Sequence, residues 1–586
     1  MHVSIVCFST DFLARDYYFD NGKMKFPVVK MIVGDTATCR THVLDMTAVE
    51  GRQWWKHSFS EPMTVDYYAF INLDLEAGVY YQAPQQFVDS LHNAVGEAFK
   101  HTVLEETYKW GYVYVNWVYC PDFSLNNSDG YWRPQSSYDV ATPSGSVPVL
   151  HICTQDSMEI VTKEYYIPAT LWLDNCGIEG YESLGSEENP LDIEIKGRGN
   201  WTWLTKHKKP YKIKFADKVA PLGLDRSRHF MIKPDVEDRS GYLRNETGFE
   251  LSRVLEMPYT PRQLPVEVFL NGEYIGMYFL CEKIRVEGGR VDVVEQNDLE
   301  TDPYNITGGW LLESRGNKNP AAQQYENNDP GRMWYAFESQ SPEHLSPQQR
   351  AYISTFIAKT DSCIFVADKD DCGWEQRIDI NSLARFYVIQ EVMDNVESFD
   401  GSLYLFKDLG FDEKLNFGPV WDFDNSHYTT TGDRFVYKYT LFPFLWIEEI
   451  SKFPRFQQQV RSVWKEFLQK DALGRLRQHA QQWRSLIEQA EQQDLKRWPT
   501  YASAHPATSP DNFLNCIARK VAWLNTQWGE LGDVNLDSYV NAADVTAIYS
   551  YILRGDTTHV ATCDVNGDGN INAADVTALY KIIINH

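Results

Sequence analysis

The length, composition and charge of this chain limit its number of domains, its class of protein and its type of partner. Its 586 residues are too many for one hydrophobic core, so several domains are expected. A hydrophobic content of 43% is typical of globular protein and not of disorder. The formal net charge of −26 argues against a nucleic-acid partner, because phosphate binding needs clustered Lys and Arg.

Cysteine spacing and hydropathy exclude further classes. The 10 cysteines are scattered without a C-x-x-C pair, which argues against a zinc ribbon or a redox motif. Cys363 and Cys372 could close a short disulfide loop, and the alternative is that they are buried thiols. No apolar run reaches the roughly 18 residues of a transmembrane helix, so no membrane span is predicted. Residues 1–10 hold an apolar patch without a basic n-region, so no signal peptide is visible.

Residues 1–145 are predicted to form a separate, β-rich domain. The alternating segments Val65–Ile71 and Tyr112–Val118 predict half-buried strands, and Gln85–Thr107 has helical spacing. Residues 126–146 are rich in Ser, Gly, Pro and Asn, which is typical of a linker. This domain contains no catalytic constellation. A carbohydrate- or protein-binding domain and a structural spacer both fit it.

A glycine-punctuated turn followed by a lysine-bearing strand opens the next domain. The segment Lys196-Gly197-Arg198-Gly199-Asn200 joins two strands, so its backbone N–H groups could cover phosphates. On the second strand Lys212 and Lys214 share one face, and Ile213 and Phe215 share the other. A strand lysine beside such a turn is how protein kinases hold nucleotide phosphates. The alternative is a solvated lysine face.

The remaining elements of this domain follow in order. A helix start is predicted at 238–245, a β-hairpin at 266–282 around Asn271-Gly272, and a strand at 308–313. Segments 375–395, 455–495 and 512–528 predict helices, and the apolar positions at 456–473 are interpreted as core packing.

An aromatic run from Asn416 ends in Trp421-Asp422-Phe423-Asp424. On an extended backbone, aspartates at i and i+2 point the same way, and such a pair suits a hard divalent cation bound to phosphate oxygens. The alternative interpretation is a strand that ends in a polar turn.

The C-terminal segment contains an internal duplication. Residues 532–547 and 563–578 align without gaps, and both place Asp or Asn at positions 1, 3, 5, 9 and 12 of a calcium loop. The predicted calcium ligands are Asp533, Asn535, Asp537, Asn541 and Asp544 in the first loop, and Asp564, Asn566, Asp568, Asn572 and Asp575 in the second. Two Ca²⁺ ions are therefore expected.

The order of motifs between about 147 and 470 resembles the spore coat protein H (CotH) family. The motifs are K-G-R-G-N at 196–200, K-P-Y-K-I-K at 209–214, L-R-N at 243–245, L-N-G-E-Y-I-G-M-Y at 270–278, E-K at 282–283, G-G at 308–309 and W-D-F-D at 421–424. The resemblance implies an atypical, two-lobe protein-kinase-like fold that phosphorylates protein serines with ATP and Mg²⁺ or Mn²⁺.

The resemblance also implies roles for single residues. Lys214 resembles the lysine that grips the nucleotide phosphates, with Lys212, Arg198 and Asn200 at the same site, and Glu282 is its carboxylate partner or a metal-side acid. Asp422 resembles the metal-binding Asp, with Asp424 as second ligand. Glu397 occupies the position of the family's catalytic Asp, and Ser402 stands where an Asn ligand is expected. Asp394 and Asp400 would take the catalytic place in another register.

The duplicated loops resemble type I dockerins, which dock into cohesin domains of scaffoldin proteins. Position 12 is Asp and one helix follows each loop, as in that family. This implies an extracellular, secreted or cell-surface protein in a cellulosome-like complex for polysaccharide degradation. The chain is thus predicted to be a multidomain α+β protein: a β-rich domain at 1–145, a CotH kinase-like domain at 147–530 and an all-α dockerin at 531–586. Two hypotheses remain: a tethered serine kinase, or a non-catalytic structural or carbohydrate-associated subunit.

Overall fold

The computed structural model describes residues 143–585 in detail, with gaps, and the strands alone within residues 1–142. The gaps are 159, 161–162, 164, 200–201, 204–205, 207, 237, 239, 315–336, 367–372, 400–401, 428–432, 439–444, 499–508, 557 and 567–569. The chain divides into two compact units. The first contains 1–219, 228–236 and 266–280, and the second contains 220–227, 237–265 and 281–586.

The N-terminal part of the first unit is β-rich, as predicted. Its described strands are β1 Ser4–Phe8, β2 Phe19–Asp20, β3 Lys23–Met24, β4 Val28–Asp35, β5 Arg40–Asp45, β6 Thr47–Ala48, β7 Trp54–Ser58, β8 Tyr67–Leu73 and β9 Tyr114–Tyr119. They form sheets in the orders β1-β7-β6, β2-β3 and β5-β4-β8-β9. The strands predicted near 65–71 and 112–118 are confirmed as β8 and β9. The predicted helix at 85–107 lies outside the described residues, as does most of the predicted linker.

A closed barrel follows, most of it in the first unit. Its strands are β10 Val149–Thr154, β11 Ile167–Asp174, β12 Leu191–Gly197, β13 Tyr211–Val219, β14 Ser227–Lys233, β15 Gln263–Leu270 and β16 Glu273–Glu282. The order is β10-β11-β12-β13-β14-β16-β15, and parallel pairing of β10 with β15 closes it. Ile213 and Phe215 are buried while Lys212 and Lys214 lie on the opposite face, so the predicted alternation along β13 is confirmed. The hairpin at Asn271-Gly272 is confirmed as β15 and β16.

The second unit combines a small sheet with helices. Strands β17 Trp310–Ser314, β18 Phe337–Ser341, β19 Tyr404–Lys407 and β20 Asn416–Phe417 pair in the order β18-β17-β19-β20. The helices are α1 Arg244–Val254, α2 Pro347–Val366, α3 Ile380–Val392, α4 Leu445–Ile450, α5 Pro454–Gln469, α6 Ala472–Arg497, α7 Pro510–Trp528, α8 Ala542–Arg554 and α9 Ala573–Asn585. Among the residues that the structure describes, no helix has the length and apolar character needed to cross a membrane.

The helical prediction at 455–495 is confirmed, but the segment forms two helices, α5 and α6, with a break that was not predicted. Asp471 separates them with a left-handed backbone, φ 48°. Its side chain accepts the Gly474 N–H at 3.2 Å and thereby caps α6. The sequence pattern does not reveal the break, because buried positions continue at a spacing of four residues across it, at Leu468, Ala472 and Leu476.

The C-terminal segment folds as two loop–helix repeats around a shared core. Helices α8 and α9 each follow one calcium loop. The core pairs equivalent residues of the repeats, which lie 31 positions apart: Val534 with Val565, Val545 with Val576, and Ile548 with Leu579. The duplication therefore has a structural meaning, because each repeat supplies half of one hydrophobic core.

Candidate functional site

Asp422 lies in a turn after β20, and its backbone differs from the one predicted. Its φ is 60°, in the left-handed region, and the strand ended at Phe417. The prediction of an extended backbone at Asp422 is therefore wrong, and the pairing of the Asp422 and Asp424 carboxylates stays a prediction. The Asp422 carboxylate accepts a hydrogen bond from the Ser402 hydroxyl at 3.2 Å. A left-handed, non-glycine residue is uncommon and is held here by its neighbours.

Two residues at the start of α1 fix the segment around Asp424. The Arg244 guanidinium donates to the Asp424 carbonyl at 2.7 Å, and the Asn245 amide donates to the Asp424 carboxylate at 2.5 Å. The Asn245 side-chain oxygen also accepts the Phe423 N–H at 2.9 Å. Asp238 in turn accepts the backbone N–H of Arg244 at 2.8 Å. The L-R-N motif therefore positions the W-D-F-D motif across about 180 residues of sequence, a role that its spacing did not reveal.

Asn395 connects Asp422 to the end of α3. Its side-chain amide donates to the Asp422 carbonyl and to the Gln390 side-chain oxygen, both at 3.1 Å. Its own side-chain oxygen accepts the Glu397 N–H at 3.3 Å. Asn395 is fully buried, so these bonds are not exchanged with water. Asn395 thus hydrogen-bonds to the backbone of both Glu397 and Asp422 and positions the two segments.

A buried lysine of α7, Lys520, pairs with acidic residues next to Asn395. The Lys520 ammonium is 3.0 Å from Asp394, 3.6 Å from Glu391 and 2.5 Å from the Arg434 carbonyl. Burial raises the pKa of Glu391 to about 7, although Lys520 and two backbone N–H groups oppose the shift. Asp394 is committed to this ion pair, and Asp400 lies outside the described residues. Lys520 lies in register with the apolar positions 513, 516, 517, 521 and 524 of α7, a signal for a buried charge that the sequence analysis did not use.

The predicted nucleotide-side residues lie in the first unit. Lys214 pairs with Glu194 at 2.6 Å directly across β12 and β13, and its ammonium is 5.8 Å from the Tyr166 ring centre. Lys212 stands opposite Lys196 on the same face. The Arg198 N–H donates to the Pro210 carbonyl at 3.1 Å, which closes the turn. Asn200 lies outside the described residues.

A second lysine of the first unit has a more protected environment. Lys233, at the end of β14, is 3.3 Å from Asp235, and their side chains are only 6% and 5% exposed. The Lys214 and Glu194 side chains are 38% and 49% exposed. Lys233 precedes Pro234 and Asp235, in a segment where sequence analysis assigned no site. Desolvation strengthens a lysine's interaction with anions, so Lys233 is a candidate beside Lys214.

Glu282 belongs to the second unit and is fully buried. Its carboxylate accepts from the Arg262 guanidinium at 3.1 Å, from the Asp225 N–H at 2.7 Å and from the Tyr259 hydroxyl at 3.2 Å. Lys214 and Glu282 therefore each have a charged partner within their own unit, and their pairing stays a prediction.

The two calcium loops repeat the same hydrogen bonds. In the first loop, the Asp544 carboxylate accepts the N–H groups of Asn535 and Asn541 at 2.9 and 2.8 Å. In the second, Asp575 accepts those of Asn566 and Asn572 at 3.2 and 2.8 Å. The second loop's Asp564 is described, and its Asp568 lies outside the described residues. The duplicated sequence therefore folds into duplicated loop geometry.

The donor set of the first loop fits a hard cation. The side-chain oxygens of Asp533 and Asn535 accept the same Asp537 N–H, at 3.0 and 3.1 Å, so they lie close together. The pKa of Asp533 is raised to about 6, mainly by burial and also by the charges of Asp544 and Asp537, although the N–H groups of Ser538 and Asp537 oppose the shift. Crowded carboxylates are the environment that Ca²⁺ neutralises.

Comparisons with known families match two parts of this chain. A family model described as "CotH kinase protein" matches residues 195–524, and the model of the type I dockerin domain matches residues 531–584. No curated protein matches the chain. The first match covers more than half of the sequence and contains Lys214, Glu282, Glu397, Asp422 and Asp424; the second contains both calcium loops.

Proposed function

Because this chain belongs to the CotH kinase protein family and carries a type I dockerin domain, we propose that it is an extracellular protein serine kinase tethered to a scaffold. Both resemblances predicted from the sequence are confirmed by these matches. Type I dockerin domains bind calcium and imply a cohesin-type partner. The phosphotransfer activity, its substrate protein and the extracellular location are the proposed parts.

The observation that carries the proposal is the held carboxylate of Asp422. Four contacts define its surroundings: Asn395 on its carbonyl, Ser402 on its carboxylate, and Arg244 and Asn245 on the residues that follow. The segment around Asp422 is thus held by residues from α1 and from the end of α3, with Asp422 in the left-handed region. A preorganised carboxylate does suit a divalent cation.

The proposed roles follow from the chemistry of the side chains. Bound Mg²⁺ or Mn²⁺ with ATP would supply the phosphoryl group and neutralise its charge. Asp422, with Asp424 as second carboxylate, would hold the cation. Lys214 or Lys233 would hold the phosphates, with Lys212, Arg198 and Asn200 near the turn. Glu397 would accept the proton of the substrate serine, since a carboxylate within reach serves as general base.

A second candidate function is a non-catalytic, kinase-like structural or carbohydrate-associated subunit of the same complex. Two observations favour it. Glu397 is one methylene longer than the family's Asp, which changes near-attack geometry. Ser402 replaces an Asn ligand, and its hydroxyl already bonds to Asp422. In this case the dockerin would still attach the chain to a cohesin.

The experiment is a transfer assay on the full chain. The protein is incubated with γ-labelled ATP and Mg²⁺ or Mn²⁺, with casein as a serine-rich acceptor. Asp422→Asn removes the proposed cation ligand, and Asp433→Asn removes an exposed carboxylate nearby as a matched control. Glu397→Asp restores the residue of the family.

Label on casein or on the chain itself that is lost only in Asp422→Asn supports the kinase. Faster transfer by Glu397→Asp would place that residue as the base. Absence of label in the wild type and in Glu397→Asp, with no nucleotide-dependent change in Tm, would refute the kinase and leave the structural subunit.

A further inference from the structure

The dockerin follows α7 after a very short connection. Trp528 ends α7, and its ring packs on Tyr387, Phe435 and Trp464 at centroid distances of 5.6, 5.7 and 5.4 Å. Only residues 529–532 separate it from Asp533, the first position of the first calcium loop. Four residues span at most about 14 Å, so the loop has to begin beside the end of the helix.

One side chain of α7 bonds to both modules. The side-chain oxygen of Asn525 accepts the indole N–H of Trp464 at 2.9 Å, and its amide donates to the Asp533 carbonyl at 3.3 Å. Asn525 is 6% exposed. The two bonds use both ends of one amide, so moving the loop would disturb the contact with α5 as well.

Gly529 shows that this arrangement is closely packed. A Cβ at this position would overlap the side-chain amide of Asn525. The Gly529 N–H donates to the Asn525 carbonyl at 2.9 Å. The connection therefore folds back onto Asn525, and its glycine serves close approach more than freedom of movement.

The dockerin also touches α7 elsewhere. The segment Val560–Thr562, between the two repeats, lies against α7. From there the Thr562 hydroxyl donates to the Val534 carbonyl at 2.6 Å, next to the loop residue that Asn525 contacts. The start of the first loop, at Asp533 and Val534, therefore contacts both α7 and the segment that joins the repeats.

Asp533 takes part both in the contact with Asn525 of α7 and in the first calcium loop. Its carboxylate accepts the N–H groups of Asp537 and Ser538 at 3.0 and 2.9 Å, and its carbonyl accepts from Asn525. Ordering the carboxylate around a cation therefore orders the carbonyl that α7 binds.

We propose that calcium binding to the first loop is coupled, through Asn525 of α7, to the stability of the CotH domain. In this arrangement the dockerin is not an independently hinged tether. Loading the first loop stabilises α7, which also carries Lys520 of the buried network behind Asp422. The second loop contributes mainly to the dockerin itself. Because the coupling is thermodynamic, a folded CotH domain in turn raises the calcium affinity of the first loop.

In the test, a variant of the second calcium loop is the control for the equivalent variant of the first loop. Asn535→Ala and Asn566→Ala remove the same position-3 ligand from the first and second loops. The full chain is unfolded by heat in EGTA and in calcium. Tryptophan fluorescence reports on the part of the chain before the dockerin, because none of the 18 tryptophans lies after Trp528. At calcium 100-fold above Kd, a rise in Tm of about 5 °C is expected for the wild type. Asn566→Ala should keep most of this rise, and Asn535→Ala should lose at least half.

Asn525→Asp removes the hydrogen bond from α7 to the Asp533 carbonyl by changing a single atom. The oxygen that Trp464 contacts is retained, while the donor to Asp533 becomes an acceptor. This variant should lose the calcium-dependent rise in Tm and bind calcium at the first loop several-fold more weakly by calorimetry. Equal effects of the two loop variants would overturn the proposal.

Hydrogen exchange of the wild-type chain tests the coupling even where a variant fails to fold. Amides of residues 514–528 should exchange more slowly with calcium than with EGTA. Exchange there that is unaffected by calcium, while residues 533–554 become protected, would also overturn the proposal. None of these readouts depends on kinase activity.

Discussion

Replacing Lys520 by Met should destabilise the second unit strongly. The ammonium of Lys520 faces two buried carboxylates, Asp394 at 3.0 Å and Glu391 at 3.6 Å, and the side chain is fully buried. Removing one partner of a buried ion pair costs about 3–5 kcal/mol, because the other charge is left without compensation. Met has a similar length, so little of the loss would come from a cavity. Urea unfolding at pH 7.5, followed by tryptophan fluorescence, measures the change in unfolding free energy.

Lys470→Met is the matched control. The Lys470 ammonium also contacts two carboxylates, Glu466 at 2.6 Å and Glu256 at 2.8 Å, and one carbonyl, that of Val254 at 2.9 Å. Its side chain is 24% exposed and that of Glu256 is 69% exposed. Solvent screening limits such pairs to about 0–1 kcal/mol. Losses of similar size in the two variants would refute the argument from burial.

The pH dependence of Lys520→Met gives an independent check. Lys520 opposes the rise in the pKa of Glu391, so its removal raises that pKa further above the value in the unfolded chain. The folded state then binds more protons than the unfolded state, and stability falls as pH rises through this window. The loss caused by Lys520→Met should therefore be larger at pH 8 than at pH 6. A loss that is independent of pH would contradict this role of Glu391.

Further predictions concern titration and packing in the second unit. Burial lowers the pKa of His427 to about 4 from 6.5, so its contribution to stability is present above pH 6.5 and is lost as pH falls to about 4. His427→Gln should flatten the acid limb of the stability curve, and an unchanged limb in urea unfolding would contradict this. The raised pKa of Glu391, about 7 against 4.5, acts oppositely: its contribution is lost as pH rises from 4.5 to 7, and Glu391→Gln should remove that slope. Gly248→Ala should cost about 1–3 kcal/mol, because the new Cβ would overlap the Phe423 ring. Gly288→Ala, where the Cβ meets open space, should leave Tm nearly unchanged.

The sequence pattern was enough to predict features that depend on a single secondary-structure element. The alternation of Ile213 and Phe215 with lysines located β13 and its faces, and Asn271-Gly272 located a hairpin, because both signals act within a few residues. The duplicated loops were also visible, since their ligands are local in sequence. By contrast, the left-handed backbone of Asp422 and of Asp471 depends on neighbours that a periodic pattern does not record.

The supporting residues of the site could not be found from local pattern. Lys520 and Asp394 are 126 residues apart, and Asn245 and Asp424 are 179 apart. A lysine on a helix and an asparagine at a helix start are common, and only the fold shows that they meet buried partners. The L-R-N motif is one of the motifs shared with the family, yet its role follows only from the contacts of Arg244 and Asn245.

Calorimetry tests whether Asp422 holds a metal–nucleotide complex, without knowledge of the acceptor protein. Mn²⁺ with a non-hydrolysable ATP analogue is titrated into the full chain in calcium-saturated buffer, so that the dockerin loops are occupied. Binding by the wild type and Asp433→Asn, weakened at least tenfold in Asp422→Asn, is the predicted result. Equal affinity in Asp422→Asn, or no binding by the wild type, would show that Asp422 does not hold such a complex.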